Sequence, residues 1–209
     1  MSRLELNQAE FLFSCDALAE GNLRVYRFRG REHISQPFEF QIELVSPSPN
    51  VDLDAGIGQP AVLTLFGRHF TGARYTRYVH GVIERFVQLG AGSRHSRYQA
   101  TLVPTLKPLA FTRSARIFQR ESVPDVTQKV LKENGVSSDA ISTLLHGTYA
   151  PRDYCVQYQE SHLTFIQRLW EEEGICYFFE HEKDKDTIVL GDMNMPTNFP
   201  TVGSFSNVI

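Results

Sequence analysis

A run of three glutamates, two nearby histidines and three scattered cysteines are the residues of this chain whose types and spacing could do chemistry. Glu171, Glu172 and Glu173 are consecutive, with Glu160 before them and Glu180 after them. Carboxylates such as Glu160, Glu171 or Glu180, with a histidine at hand, are the raw material of a cell-wall hydrolase, which holds two acids on either side of a glycosidic bond. The triplet cannot make such a pair alone, because adjacent residues of a helix point in different directions. It also lies near a helix C-terminus, where negative charge is mildly unfavourable. That cost asks for a partner, either Arg168 three or four residues earlier or a basic surface on another subunit. There is no nucleophile elbow, no HExxH and no glycine-rich phosphate loop. The expectation is a solvated or interface role for Glu171, Glu172 and Glu173, and no catalytic residue.

Cys15, Cys155 and Cys176 are odd in number, widely spaced and free of CxxC spacing, which argues against a disulfide framework and against a zinc site. Cys155 and Cys176 would have to converge with His162 and His181 to hold a metal. Buried thiols and surface histidines are the expected outcome, with no metal and no cofactor. The arginines are unevenly placed. Arg68, Arg74, Arg77, Arg85, Arg94 and Arg97 share their stretch with Glu84 as its one acid, whereas 171–186 holds seven acids against Lys183 and Lys185. Opposed patches of this kind suit docking between subunits. Arg74, Arg77 and Arg85 are the candidate interface cations. A nucleic-acid role fits poorly, since a strand splits such arginines over two faces.

The elements that would position these residues follow from periodicity. Tyr154, Val156 and Tyr158 alternate with Cys155 and Gln157, a half-buried strand. Ser161 is a helix N-cap, Leu163, Ile166, Leu169 and Trp170 form an apolar stripe, and Gly174 ends the helix. A strand over 175–181, a polar turn over 182–186 and a return strand over 187–190 make a hairpin. A second helix starts at Ser122 with Asp125 three residues on, close to a capping box. It carries Val123, Val126, Val130 and Leu131 inward and stops at Gly135. The region 138–149 is ambiguous between helix and strand.

Upstream, the chain reads as strands. The segment 11–18 is short and apolar, and 23–28 follows it. Phe38, Phe40, Ile42 and Leu44 alternate with Glu39, Gln41 and Glu43. The stretch 61–66 leads into a turn near Gly67, and 78–89 pairs with 96–103 across Gly90 to Ser93. Many short strands at regular spacing predict an antiparallel barrel. The fold class is therefore α+β. An N-terminal antiparallel β-barrel over 1–110 precedes a mixed α/β domain over 111–195, with two helices and a hairpin. A linker, or the start of another barrel, covers 196–209.

Composition bounds the function. The chain has 209 residues, 42% of them hydrophobic, and a formal net charge of −3. That charge predicts no general affinity for nucleic acid or membranes. No apolar run reaches the roughly 20 residues of a membrane span. The N-terminus lacks the apolar core of a signal peptide, so a protein made and assembled in the cytoplasm is expected, exported only by a dedicated machine.

Several motifs, in order, resemble the VgrG spike proteins of type VI secretion systems. They are His80-Gly-Val-Ile-Glu-Arg-Phe86, Tyr98 to Pro104, Arg116-Ile-Phe-Gln119, the helix from Val123 to Asn134, Tyr154 to Tyr158, Arg168-Leu-Trp-Glu-Glu-Glu-Gly174 and Tyr177-Phe-Phe-Glu-His181. Two departures stand out. His162 replaces the acid that commonly follows the cap serine, and Leu106-Lys-Pro-Leu109 lacks a frequent tryptophan. The resemblance implies a homotrimeric hub, similar to the hub of contractile phage tails, that docks on the hexameric tube protein (Hcp) and meets baseplate components. It also implies a PAAR tip and effectors attached through C-terminal parts beyond this chain, which would be an N-terminal portion. A phage or pyocin-like tail hub is the alternative within the same physics.

Overall fold

The computed structural model describes residues 11–68, 74–192 and 205–207. Its larger sheet has seven strands: β1 (Phe11–Ser14), β2 (Arg24–His33), β3 (Gln36–Ser46), β4 (Pro60–Arg68), β5 (Arg74–Ala91), β6 (Ser96–Val103) and β12 (Phe205–Asn207). A short helix α1 (Leu53–Gly56) joins β3 to β4. The spatial order is β1-β4-β5-β6-β3-β2-β12, antiparallel throughout. The sheet curls until Phe11 of β1 meets Phe28 of β2 edge-on, ring centroids 5.2 Å apart. Among the described residues no ladder joins β1 to β2, so the expected barrel is present as a curled half-barrel.

The alternation read in β3 is the reason it sits in the middle of this core. Phe38, Phe40, Ile42 and Leu44 are fully buried, and they pack with Leu63, Val79, Ile83, Tyr98 and Leu102. The other face carries Glu43, which pairs with Arg27 across the ladder.

A second core is built from β7 (Arg113–Phe118), α2 (Val123–Glu133), β8 (Ile141–Leu144), β9 (Cys155–Ser161), α3 (His162–Glu172), β10 (Cys176–His181) and β11 (Asp186–Gly191). β10 and β11 form the expected hairpin. β7 and β9 form a separate two-stranded ribbon. The apolar stripes of α2 and α3 face each other, with Val126, Val130, Leu131, Phe165, Ile166, Leu169 and Trp170 buried. Phe179 of β10 packs against both cores.

Both helices stop the same way. Gly135 and Gly174 have φ of 80° and 69°, values that L side chains adopt only with strain. Val136 N–H donates to Leu131 O and Ile175 N–H to Trp170 O, closing a Schellman motif at each end. At the start of α2, Ser122 and Asp125 make the full capping box. Ser122→Ala should lower stability by about 1 kcal/mol, read as a lower urea midpoint with an unchanged slope.

Four readings change. β1 stops at Ser14, and Asp16–Gly21 is a 3-10 turn. The ambiguous 138–149 becomes a 3-10 turn and β8, a strand parallel to β11. The segment after it is tied down by Asp192, whose Oδ2 accepts from His146 N–H, Gly147 N–H and Tyr149 O–H. β4 runs through Gly67 to Arg68, and the turn expected to follow it lies outside the described residues. Most of 196–209 also lies outside them, but residues 205–207 add to the edge of β2.

Candidate functional site

Where the two cores meet, the β2–β3 turn and β5 lean on the β10–β11 hairpin. Ser35 N–H donates to Tyr177 O at 2.7 Å. His181 turns its ring edge to Phe38 at 4.8 Å, and Nδ1 lies 3.3 Å from His80 N and 3.2 Å from His80 O. Its Nε2 faces Glu32 Oε1 at 3.4 Å, and Glu32 also binds Arg77. On the other side, His80 Nδ1 meets Asp186 Oδ1 at 3.1 Å. Asp186 Oδ2 accepts from Thr105 N–H and Thr105 O–H, both at 3.0 Å.

Sequence reasoning missed this relay, since its partners stand about half the chain apart. Beside it opens a cleft of about 510 Å³, with Phe38, Phe178 and Phe179 as apolar lining and Glu32, Arg77 and Glu180 as polar lining. Burial pushes the Glu32 carboxyl up, but contacts with His181 and Arg77 outweigh it and hold it below the usual range. The stability Glu32 contributes is therefore present above its unfolded pKa and lost as pH falls through the lower folded value. Glu32→Gln should lose stability near neutral pH and flatten the acid limb, in urea midpoints taken from about pH 7 to about pH 3.

The three candidate arginines have different settings. Arg77 shares the inward parity of Val79 and Ile83, so it reaches Glu32 at the end of the core. Arg74 and Arg85 are exposed, and a bulge between Ile83 and Arg85 turns Arg85 outward. A second basic row escaped notice in the sequence. Arg24, Arg27, Arg29 and Arg31 are all exposed on the outer face of β2. Period two places Arg27, Arg29 and Arg31 there, and the bulge between Val25 and Arg27 brings Arg24 to the same face.

The glutamates find the partner that their position asked for. Arg168 binds Glu172 four residues on, at 3.0 Å, and also Glu160 at 2.7 Å and the Val156 carbonyl at 3.2 Å. Arg152 reaches both Glu172 and Glu173. The Arg152 contact, opposed by partial burial and helped by Arg168, holds the Glu172 carboxyl below its ordinary range. That is the wrong direction for a general acid. Glu171 is exposed on α3, and Glu180 is exposed on β10.

The thiols and histidines do not converge. Cys15 and Cys155 are buried in different cores, and Cys176 donates to Gly191 O. His162 is buried and the side chain of His181 is largely covered, in place of the surface positions expected. His162 follows the Ser161 cap directly. Its Nδ1 lies 3.2 Å from Gln157 Nε2 and 3.5 Å from Arg116 Nη2. Burial first, and the Arg116 charge second, push its pKa down. Among the described residues no group of His, Cys, Asp or Glu is arranged to hold a metal ion.

The ribbon turns an apolar face to solvent. Cys155 and Gln157 point inward, and Phe118 stacks on Phe165 at 5.6 Å. Tyr154, Val156 and Tyr158 point out, with 66%, 45% and 72% of their surface exposed. Ile117, paired with Val156 across the ladder, is 59% exposed. Gln157 tolerates burial because its amide donates to Glu160 O and its Oε1 accepts from Arg116.

Residues 31–203 match the family of the phage tail baseplate hub (GPD). The chain belongs to that family. The hub chain is 42% identical over 197 residues to the type VI secretion system spike protein VgrG4b of Pseudomonas aeruginosa, covering 94% of this chain and 23% of that protein. It is 32% identical to the actin cross-linking toxin VgrG1 of Vibrio cholerae, covering 85% of this chain and 16% of that protein. Among solved structures, the E. coli c3393 protein superposes with a TM-score of 0.78 at 25% identity, over 90% of this chain and 53% of that one. That protein is described as a component of the type VI secretion system with structural similarity to the T4 tail proteins gp27 and gp5. The expected resemblance to VgrG spikes is thus met, and the chain spans about a quarter of the length of its curated relatives. No helix among the described residues is long and apolar enough to cross a membrane.

Proposed function

We propose that this hub chain is the barrel and middle α+β portion of a homotrimeric type VI spike. In this reading it docks on the hexameric tube protein and transmits the force of sheath contraction, without catalysis of its own. The observation that carries the reading is the 42% identity to a type VI spike protein over 94% of the chain, joined to the hub fold shared with the c3393 protein. The division near residue 110 is part of the proposal; two separate hydrophobic cores support a two-part chain, with Leu106 and Leu109 already in the second. The absence of catalysis is supported by Glu160, which Arg168 holds, and by Glu171 and Glu180, which stand exposed on different elements. Work of this kind needs large complementary interfaces and closed symmetry in place of reactive groups. The PAAR tip, effectors and baseplate contacts belong to the same proposal, as do cytoplasmic assembly and export by the contraction machine.

Deleting the gene in its own host tests the function. The deletion should abolish release of tube protein into the medium, and the wild-type gene should restore it. Undiminished release from the deletion strain, with no second spike gene expressed, would contradict the proposal.

A further inference from the structure

We propose that the outer face of the β7–β9 ribbon is the surface through which one copy of this chain binds the next. The proposal rests on the homotrimer reading above and adds the face that makes the contact. Ile117, Val156 and Tyr158 stand together on one side of two paired strands, and Tyr154 is exposed immediately before β9. Their inward neighbours Phe118 and Cys155 fill the second core, and among the described residues this face is left exposed.

Its size and composition suit a lasting protein contact. Two aromatic side chains of about 150–250 Å² each, exposed to the fractions above, with Ile117 and Val156 beside them, present roughly 500 Å². One side of a standard interface contributes about 800 Å². An uncharged, tyrosine-rich centre with an arginine-bearing polar rim is the anatomy of such interfaces. The rim here is Arg113, at the start of β7, and Arg168, which grips the Val156 carbonyl from the side.

The charges select a second copy as the occupant. The acidic end of α3 borders the ribbon, since Arg152, two residues before Tyr154, binds Glu172 and Glu173. Glu171 stands exposed next to them. The complementary sign lies on the same chain, in the exposed row Arg24, Arg29 and Arg31 of β2. One copy thus carries both halves of a charge-matched contact on different surfaces. A head-to-tail arrangement that closes into a ring uses such a pair of unlike surfaces.

The test places p-benzoylphenylalanine at Tyr158 of the purified protein, and at Ile57 as a control on an exposed site elsewhere. Irradiation should give adducts at two and three times the chain mass from position 158 and none from position 57. Independently, the double variant Val156→Glu, Tyr158→Glu should fall to about one third of the wild-type mass in solution, as expected for a closed ring, with its far-ultraviolet spectrum unchanged. A protein that is trimeric by light scattering, yet gives no self-adduct from position 158 and stays trimeric as the double variant, overturns this face and leaves the trimer standing. Adducts from both positions alike, or adducts from position 158 to added tube protein alone, also overturn it. A wild-type protein that is monomeric at every concentration overturns the homotrimer reading and the inference with it.

Discussion

Trp170→Ala is expected to cost this chain about 3–5 kcal/mol of folding free energy. Trp170 is the one tryptophan of the sequence, and only 1% of its surface is exposed. Its ring lies against Tyr177, centroids 5.0 Å apart, which joins α3 to β10. Its indole N–H donates to Thr127 Oγ1 at 2.9 Å, which joins α3 to α2. Truncation removes the packing and leaves the buried Thr127 hydroxyl short of a partner. Against the 5–15 kcal/mol typical of a domain, this loss is a large fraction. Urea denaturation followed by circular dichroism would measure it. A loss below about 1 kcal/mol would mean that the α2–α3–β10 contact is not packed as described. Trp170→Phe keeps most of the ring and should lose distinctly less.

Asp186→Ala should be of similar size, about 3–5 kcal/mol, because it breaks a buried ionisable pair and strands two hydrogen-bond donors. Asp186 is 2% exposed and serves His80 with one oxygen and Thr105 with the other. His80 lies within β5 of the barrel sheet and Thr105 just after the end of β6, whereas Asp186 opens β11. The variant should therefore also loosen the coupling between the two cores. Trp170 fluorescence reports the second core, and pulsed amide hydrogen exchange along β3 and β6 through the same urea series reports the first. The two transitions should coincide in the wild type and separate in the variant. Asp186→Asn retains one oxygen acceptor and should fall between the two. Coincident transitions in Asp186→Ala, with an unchanged midpoint, would contradict the role given to the relay.

What could be read from one sequence was what depends on neighbours along the chain. The alternation of Phe38 to Leu44, the Ser122 and Ser161 caps and the Gly135 and Gly174 stops are local, and each stands where its residues put it. The triplet of glutamates disclosed its need for Arg168 through helix geometry alone. Period two says that Tyr154, Val156 and Tyr158 share a face, but not which face is covered. Side-chain hydropathy favours the tyrosines and valine inward, yet the buried residue is Gln157, whose amide is satisfied by Glu160 O, Arg116 and His162. The partners of Arg77, His80 and His181 lie far away along the chain, so no spacing rule could pair them. β7 was missed because Arg113 to Phe118 has a weak pattern and gains its strand from pairing with β9. Interfaces were legible only as charge bias, and the structure assigns one of the three candidate arginines, Arg77, to an internal pair.

The solution mass of the purified protein, alone and mixed with the hexameric tube protein, tests the hub assignment most directly. A trimer is expected, and a complex of defined mass when the ring is added. A monomer that leaves the ring unbound at every concentration would contradict the assignment.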